Sequence, residues 1–164
     1  MTLINEVPVK VKYPAIEKFV TAGELTVGYK TTKPEMLVIL KKSDVVSNYI
    51  RKLYDEDRIE YCESFFCIFL GRDLKVRGWA KISEGGMSGT VVDVRMIMHL
   101  VINSAAHNII ISHNHPSGQL KPSEQDNKLT EKIKHACAYF DINLLDHVIV
   151  SKEGHFSYAD EGLL

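Results

Sequence analysis

Apolar side chains recur at the spacing of one helix face in three segments of the chain. The first segment starts at Ser43, which is a good N-cap residue, and carries Val46 and Ile50 four residues apart. In the longest segment, Leu129 and Ile133 repeat the same spacing. The sequence therefore predicts one helix that begins at Ser43 and two more over residues 93–104 and 123–140.

Shorter apolar runs, bounded by turn residues, predict strands between these helices. The first run is rich in Phe and Ile and ends at Gly71, and a hairpin partner follows that contains Trp79, interpreted as a core residue. The triplet Ile109, Ile110 and Ile111 predicts a strand buried on both faces. The predicted strands are 63–70, 74–82, 108–112, 144–150 and 154–158. Because helices alternate with buried strands, a layered α/β domain is expected.

The first 42 residues have a weaker pattern. Residues 6–13 alternate, with three valines on one face, and predict a strand. Two glycines bound a second strand at residues 25–30, and the apolar run 36–40 fits either a helix or a strand. This segment is interpreted as an N-terminal extension of short strands.

Composition places the chain among ordinary globular domains. It has 164 residues, of which 45% are hydrophobic and 25% charged, and this is one domain of average composition. With 20 basic and 21 acidic residues the net charge is −1. A domain that binds nucleic acid through phosphate contacts is usually basic, so this balance argues against indiscriminate nucleic-acid binding.

The cysteine content, together with the lack of a signal-peptide pattern or a membrane-spanning run in the sequence, predicts a cytoplasmic protein. Cys62, Cys67 and Cys137 form no CxxC pair and no disulfide framework, and are interpreted as buried thiols in a reducing compartment. The N-terminus shows no cationic flank followed by an apolar core, as a signal peptide has. The longest apolar runs fall far below the ~18 residues that a membrane span needs.

Two histidines and a carboxylate lie around the loop after the isoleucine-rich strand. His113 and His115 are separated by one residue, and in an extended chain such side chains share a face, so both imidazoles can reach one ion. Asp126 follows near the start of the predicted helix 123–140, and the loop between them can fold that helix back over the strand end. Two nitrogens, one carboxylate and an open fourth position suit a catalytic zinc ion.

Each of these residues also has a structural interpretation. A His-x-His pair alone is weak evidence for a metal, and both rings can be ordinary loop residues. Ser123 and Asp126 have the spacing of a capping box, with Ser123 as N-cap. Asp146 and His147, in the predicted strand 144–150, are either a satisfied structural pair or a support for a ligand imidazole.

The spacing of these residues resembles a known metal motif. His113-x-His115, seven residues, Ser123, two residues and Asp126 resemble the motif of the JAMM (MPN-plus) metalloprotease superfamily. The fuller text His-Asn-His-Pro-Ser-Gly, followed by Pro-Ser-x-x-Asp, resembles the bacterial RadC family within it. The resemblance covers the chain from about Glu63 to the C-terminus.

The resemblance implies a fold and a domain division. The fold is a three-layer α/β/α sandwich with a central mixed sheet, similar to the cytidine deaminases. Residues 43–164 form the RadC-like JAB/MPN domain, preceded by the extension 1–42. Many RadC proteins carry an N-terminal helix-hairpin-helix module that binds DNA. Residues 1–62 show no glycine-containing hairpin between helices, so the chain resembles the short form.

The resemblance also assigns roles at the site. It implies that His113, His115 and Asp126 are the zinc ligands. Ser123 would lie beside the metal-activated water and help to stabilise a tetrahedral oxyanion.

The superfamily uses one upstream glutamate as general acid/base. Glu63, fifty residues before His113 and at the head of a buried strand, is the matching position. Glu84 precedes a Gly-rich loop and fits this spacing less well, and Glu60 is a poorer match still.

The implied function is that of a zinc-dependent metallohydrolase, which hydrolyses a peptide or isopeptide bond in a peptide or protein substrate with a metal-activated water. One alternative is a DNA-repair accessory protein of the RadC type, although the charge balance does not support DNA binding. A second alternative is a catalytically silent interaction domain, against which the intact ligand set argues.

Overall fold

The computed structural model describes residues 38–85 and 91–164, and these residues form five strands and three helices. Each of these elements overlaps one that the sequence predicts. In chain order they are α1 (Ser43–Arg51), β1 (Ser64–Leu70), β2 (Val76–Glu84), α2 (Val94–Asn103), β3 (Asn108–Asn114), α3 (Glu124–Ala138), β4 (Asn143–Val150) and β5 (His155–Ser157).

The five strands form one mixed sheet in the order β2-β1-β3-β4-β5. Strand β1 is antiparallel to both β2 and β3, and β5 is antiparallel to β4. Strands β3 and β4 are parallel neighbours, and α3 makes the connection between them. The carboxyl end of β3 and the start of α3 therefore lie at the same edge of the sheet, which is where α/β folds commonly bind ligands.

Helices cover both faces of this sheet. Helix α1 packs on one face through Ile50, which meets Phe66 and Ile110 in a buried apolar cluster. Helices α2 and α3 pack on the other face through Ile97 and Ile133 in a second cluster. We call these the α1 face and the α3 face. The arrangement confirms the expected α/β/α sandwich with a central mixed sheet.

An irregularity in β4 decides which of its residues face α3. Ile109 pairs with Leu144, but the next residue, Ile110, pairs with Asp146, so that Leu145 is an extra residue in β4. Such a bulge reverses the alternation of a strand beyond it. As a result His147 lies opposite Ile111 and on the α3 face.

Three expectations from the sequence need correction. Helix α1 has Lys42 in the N-cap position, so Ser43 is its first helical residue and not its cap. Helix α3 ends at Ala138, two residues before the predicted end. Trp79 is 50% exposed, because it lies on the edge strand β2 and not in the core.

Other expectations are confirmed or lie beyond the described part of the chain. Cys62, Cys67 and Cys137 are free and buried, as predicted. The strands predicted at residues 6–13 and 25–30 lie outside the described residues. Across 38–85 and 91–164, none of the helices has the length and apolar character to cross a bilayer.

Candidate metal centre

His113, His115 and Asp126 meet where β3 ends and α3 begins. His113 is the second-last residue of β3. His115 comes directly after the strand, and its main-chain N–H donates to the carbonyl of Val150 at 3.1 Å. A turn from His115 to Gly118 then reverses the chain, and Gly118 has a φ of +78°, which favours glycine. The loop after it brings Asp126, in the first turn of α3, over the strand end.

The ligand atoms of the three side chains converge on one point. Nε2 of His113 and Nε2 of His115 are 2.9 Å apart. Oδ1 of Asp126 is 3.2 Å from Nε2 of His113, and its Oδ2 is 3.5 Å from Nε2 of His115. Ligand atoms around a tetrahedral zinc ion with bonds of about 2.0–2.2 Å are about 3.3–3.6 Å apart. This group can therefore hold a metal ion.

Ser123 and Asp126 also form the predicted capping box. The Ser123 hydroxyl accepts the Asp126 N–H at 3.1 Å, and Oδ2 of Asp126 accepts the Ser123 N–H at 2.7 Å. The same hydroxyl donates to Oδ2 at 2.6 Å. The helix cap thus occupies Oδ2 and leaves Oδ1 directed to His113. The structural and the metal-binding interpretations of Asp126 are therefore compatible, because its two oxygens can divide the tasks.

Both histidines are held from behind through Nδ1. Nδ1 of His115 is 2.7 Å from the carbonyl oxygen of Gln119, in the loop before α3. Nδ1 of His113 is 2.8 Å from Nε2 of His147 on β4. The His147 ring is itself stacked on Tyr158, with centroids 4.8 Å apart. Contacts of this kind orient ligand rings in metal sites.

Burial and charge shift the pKa values of these groups. Burial acts to raise the pKa of the Asp126 carboxyl, but the neighbouring imidazoles of His113 and His115 outweigh it and hold this pKa well below its usual range. The hydrogen bond with Asp126 raises the pKa of His115. Burial lowers the pKa of His147 well below its ordinary value. The centre therefore combines an ionised carboxylate with a buried ring that favours its neutral form.

Glu63 is the upstream carboxylate that the fold brings to this centre. It lies directly before β1 and lines an open cleft of about 410 Å³ together with His113, His115 and Asp126. The main chain around Glu63 is fixed by Asn114. The Asn114 side chain accepts the N–H of the residue after Glu63 at 2.8 Å and donates to the carbonyl of the residue before it at 2.9 Å.

The two competing glutamates lie elsewhere. Glu84, at the end of β2, forms ion pairs with Arg58 and Lys81. Glu60 pairs with Lys152 at 2.8 Å. Neither is among the described residues that line the cleft. Of these three glutamates, the structure therefore places Glu63 at the cleft.

Comparison with known families covers most of the chain. Residues 40–163 match the family described as the RadC-like JAB domain. The chain belongs to this family. The match includes all three candidate ligands together with Glu63 and Ser123, and it confirms the resemblance seen in the sequence.

Three relatives of the chain are UPF0758 proteins. A UPF0758 protein of Flavobacterium johnsoniae is 43% identical over 101 residues, which are 62% of this chain and 44% of the relative. One from Chlorobium chlorochromatii is 33% identical over 147 residues, or 90% of this chain and 64% of the relative. One from Acinetobacter baumannii is 32% identical over 153 residues, or 93% and 63%. The chain thus spans 44–64% of the length of these relatives.

Two residues of this RadC-like JAB domain have roles that the sequence did not suggest. Asn114, the middle residue of His-Asn-His, also donates to the carbonyl of Ile59 at 2.7 Å, so its amide is bonded three times. Thr130, one turn beyond Asp126 on α3, lies 2.6 Å from Nδ1 of His147. The single local signal for Thr130 is that a polar residue occupies the buried stripe of α3.

Proposed function

We propose that this RadC-like JAB domain is a zinc-dependent hydrolase that cleaves a peptide or isopeptide bond in a peptide or protein substrate. One observation carries the proposal. Two imidazole nitrogens and a carboxylate oxygen converge in an open cleft that Glu63 also lines. Three protein ligands with a free fourth position are typical of catalytic zinc, whereas structural zinc has four protein ligands.

The donor set fits zinc in its chemistry as well as in its spacing. Neutral imidazole and carboxylate are common zinc ligands, and His113, His115 and Asp126 would hold the ion. When bound, zinc supplies a Lewis acid for the scissile carbonyl and lowers the pKa of a water molecule at its open position.

Glu63 would move the proton. As general base it takes a proton from the water that attacks the carbonyl carbon, and as general acid it delivers that proton to the leaving nitrogen. The C–N bond then breaks, and the products are a carboxylate and an amine. The hydrogen bonds of Asn114 to the main chain on either side of Glu63 support this role, since they fix the place from which the carboxylate acts.

Ser123 would stabilise the oxyanion. In the structure its hydroxyl donates to Oδ2 of Asp126, so this role requires the hydroxyl to turn towards the substrate. The Ser123 N–H, 2.7 Å from the same oxygen, would keep Asp126 in place during that exchange. Loss of one such donor typically costs about 10²–10³ in rate.

The first experiment measures metal content by plasma mass spectrometry on protein purified without a histidine tag. We expect about one zinc per chain in the wild type and none in His115→Ala or Asp126→Ala, with unchanged circular dichroism spectra. Failure of the wild type to bind zinc after its addition would remove the basis of the proposal.

The second experiment tests the hydrolase activity. A defined peptide mixture and an isopeptide-linked conjugate are incubated with the zinc-loaded wild type and with Glu63→Gln, and the products are identified by mass spectrometry. Cleavage by the wild type alone is the expected result. If both proteins bind zinc and neither cleaves, the interaction-domain hypothesis is favoured. Salt-dependent binding to a DNA duplex in the same preparation would favour the DNA-repair accessory role.

The compartment that fits this proposal is the cytoplasm. Cys62, Cys67 and Cys137 are free thiols buried in the apolar interior, as is usual for proteins of a reducing compartment.

A further inference from the structure

A series of buried, hydrogen-bonded polar groups lies behind His113, on the side away from Asp126 and His115. It consists of His113, His147, Thr130 and the main-chain carbonyl of Asp126, and we call it the relay. Nδ1 of His113 is 2.8 Å from Nε2 of His147, and Nδ1 of His147 is 2.6 Å from the hydroxyl of Thr130. That hydroxyl is 2.6 Å from the main-chain carbonyl oxygen of Asp126. The three side chains are at most 2% exposed. Buried polar groups need hydrogen-bond partners, so each of these side chains depends on its neighbours in the relay for its hydrogen bonds.

The chemistry of the groups fixes the direction of every hydrogen bond. A carbonyl oxygen only accepts, so the single hydroxyl proton of Thr130 is donated to Asp126. The Thr130 oxygen must then accept from His147, whose Nδ1 carries the ring proton. A neutral imidazole has one such proton, so Nε2 of His147 is an acceptor. It therefore receives its hydrogen bond from Nδ1–H of His113.

We infer that Thr130 and His147 are positioning residues that keep the ring proton of His113 on Nδ1 and thereby leave Nε2 bare for the metal. The inference rests on the metal site proposed above. His115 reaches the same state by a shorter route, because the Gln119 carbonyl can only accept from its Nδ1–H. Two bare Nε2 atoms then face each other at 2.9 Å, an arrangement that a cation between them stabilises.

The relay contacts Asp126 through both its main chain and its side chain. Its main-chain carbonyl receives the Thr130 hydroxyl, and its carboxylate faces His113 from the opposite side. One residue of α3 thus anchors the relay and takes part in the ligand set that the relay prepares. His147 can take part in the relay because the bulge at Leu145 brings it onto the α3 face.

Removal of the Thr130 hydroxyl should reverse the direction of the hydrogen bond between His147 and His113. In Thr130→Val the Nδ1–H of His147 would lose its acceptor and become a buried, unpaired donor. Moving the proton to Nε2 of His147 avoids this, but that group then donates to Nδ1 of His113. The proton of His113 is displaced to Nε2, the nitrogen that the metal needs. Loss of comparable supporting contacts weakens metal affinity about 10–100-fold.

The experiment has two readouts, of which the first needs no metal. Long-range ¹H–¹⁵N spectra of the metal-free protein at about pH 8, where an ordinary histidine is neutral, show which nitrogen of each ring carries the proton. We expect the proton on Nδ1 of His113 and of His147 in the wild type and in Thr130→Ser. In Thr130→Val it should lie on Nε2 of both.

The second readout is zinc affinity by competition with a chromophoric chelator. Thr130→Val should bind about 10–100-fold more weakly than the wild type, and Thr130→Ser should bind like the wild type. Ser112→Ala is the matched control. It removes a buried hydroxyl next to His113 in sequence but on the α1 face, where it bonds to Tyr54. It should leave both readouts unchanged.

Each result decides between the two claims. A wild-type His113 with its proton on Nε2 would overturn the relay even if zinc binds, and so would unchanged zinc affinity in a folded Thr130→Val. If the wild type binds no zinc, the proposed function fails, while the spectra still test the relay. If Thr130→Val does not fold, the wild-type and Thr130→Ser spectra decide alone.

Discussion

The carboxyl end of β3 carries two pairs of polar side chains, one on each face of the sheet, and the two pairs differ in their hydrogen-bond partners. On the α1 face, Ser112 bonds to the Tyr54 hydroxyl at 2.9 Å, and Asn114 makes three bonds to the main chain of residues 59–64. These groups have partners of matching kind, donor to acceptor. They are engaged within the protein and lie outside the cleft that His113 and His115 line.

On the α3 face, His113 and His115 point their Nε2 atoms at each other and at Asp126. Their Nδ1 atoms are engaged from behind, so the facing atoms are acceptors without donors between them. Neighbouring residues of one strand thus differ in purpose. Polar groups with matched partners stabilise the fold, whereas converging acceptors beside a cleft indicate a site for a cation. We therefore expect substitutions on the α1 face to cost stability and those on the α3 face to cost metal binding.

The largest expected effect is that of Asn114→Ala. The substitution leaves two carbonyls and one N–H of the segment 59–64 without their buried partner. At about 1–3 kcal/mol for each of the three unsatisfied groups, the free energy of unfolding should fall by at least about 3 kcal/mol. Urea denaturation of the metal-free protein measures it. His115→Ala, at the next residue and on the opposite face, should cost less than about 1 kcal/mol. Equal costs for both variants would contradict the distinction between the faces.

The next effect is the response of stability to zinc. A metal that binds the folded state adds about 2.7 kcal/mol to the free energy of unfolding when its free concentration is about 100 times Kd. We expect this gain in the wild type and in Asn114→Ala, provided that the latter folds at low temperature. We expect none in His115→Ala. Thermal unfolding with and without zinc checks this, and loss of the response in folded Asn114→Ala would show that the two faces are not independent.

These contrasts also show which features a sequence reveals. The elements and the triad were predicted because their signals are local: apolar spacing within one helix or strand, His113 and His115 two residues apart, and Asp126 in the next helix start. The partners of Asn114 and Thr130 are distant in sequence, at residues 59–64 and at His147. No local pattern indicates such contacts, so the sequence could not assign these two residues.

The position of His147 illustrates a second reason. In a regular strand, residues two apart share a face, so Leu144 on the α3 face would be joined there by Asp146. The extra residue Leu145 shifts this alternation and brings His147 to the α3 face instead. The sequence allowed two interpretations of Asp146 and His147, and the choice depended on one bulge that periodicity does not reveal.

Alkaline pH should affect both faces through one tyrosine on each. Burial raises the pKa of Tyr54 well above its usual range, and raises that of Tyr158, stacked on His147, to about 12. Tyrosine in the unfolded chain ionises at about pH 10. Between about pH 10 and 12 the unfolded chain therefore loses protons that the folded protein keeps, and stability falls as pH rises, by about 1.4 kcal/mol per pH unit for each tyrosine.

Urea denaturation at several alkaline pH values measures this slope. Tyr54→Phe and Tyr158→Phe should each remove the contribution of one tyrosine, so that either variant has a shallower dependence than the wild type. A slope unchanged by both substitutions would show that other groups cause the alkaline loss.

The smallest expected effect is the coupling between Tyr54 and Ser112. Their hydroxyls share one buried hydrogen bond of 2.9 Å, and no other hydrogen bond of either side chain is seen among the described residues. Tyr54→Phe leaves Ser112 unpaired and Ser112→Ala leaves Tyr54 unpaired, whereas the double variant leaves neither. The double variant should therefore be more stable than the single effects add up to, by about 0.5–1.5 kcal/mol. Tyr54→Phe combined with Thr130→Ser, on opposite faces, is the control and should be additive within about 0.5 kcal/mol. Additivity in the first cycle would mean that the Ser112 hydroxyl is satisfied by some other group, and the α1 face would then no longer be an example of fully matched polar pairs.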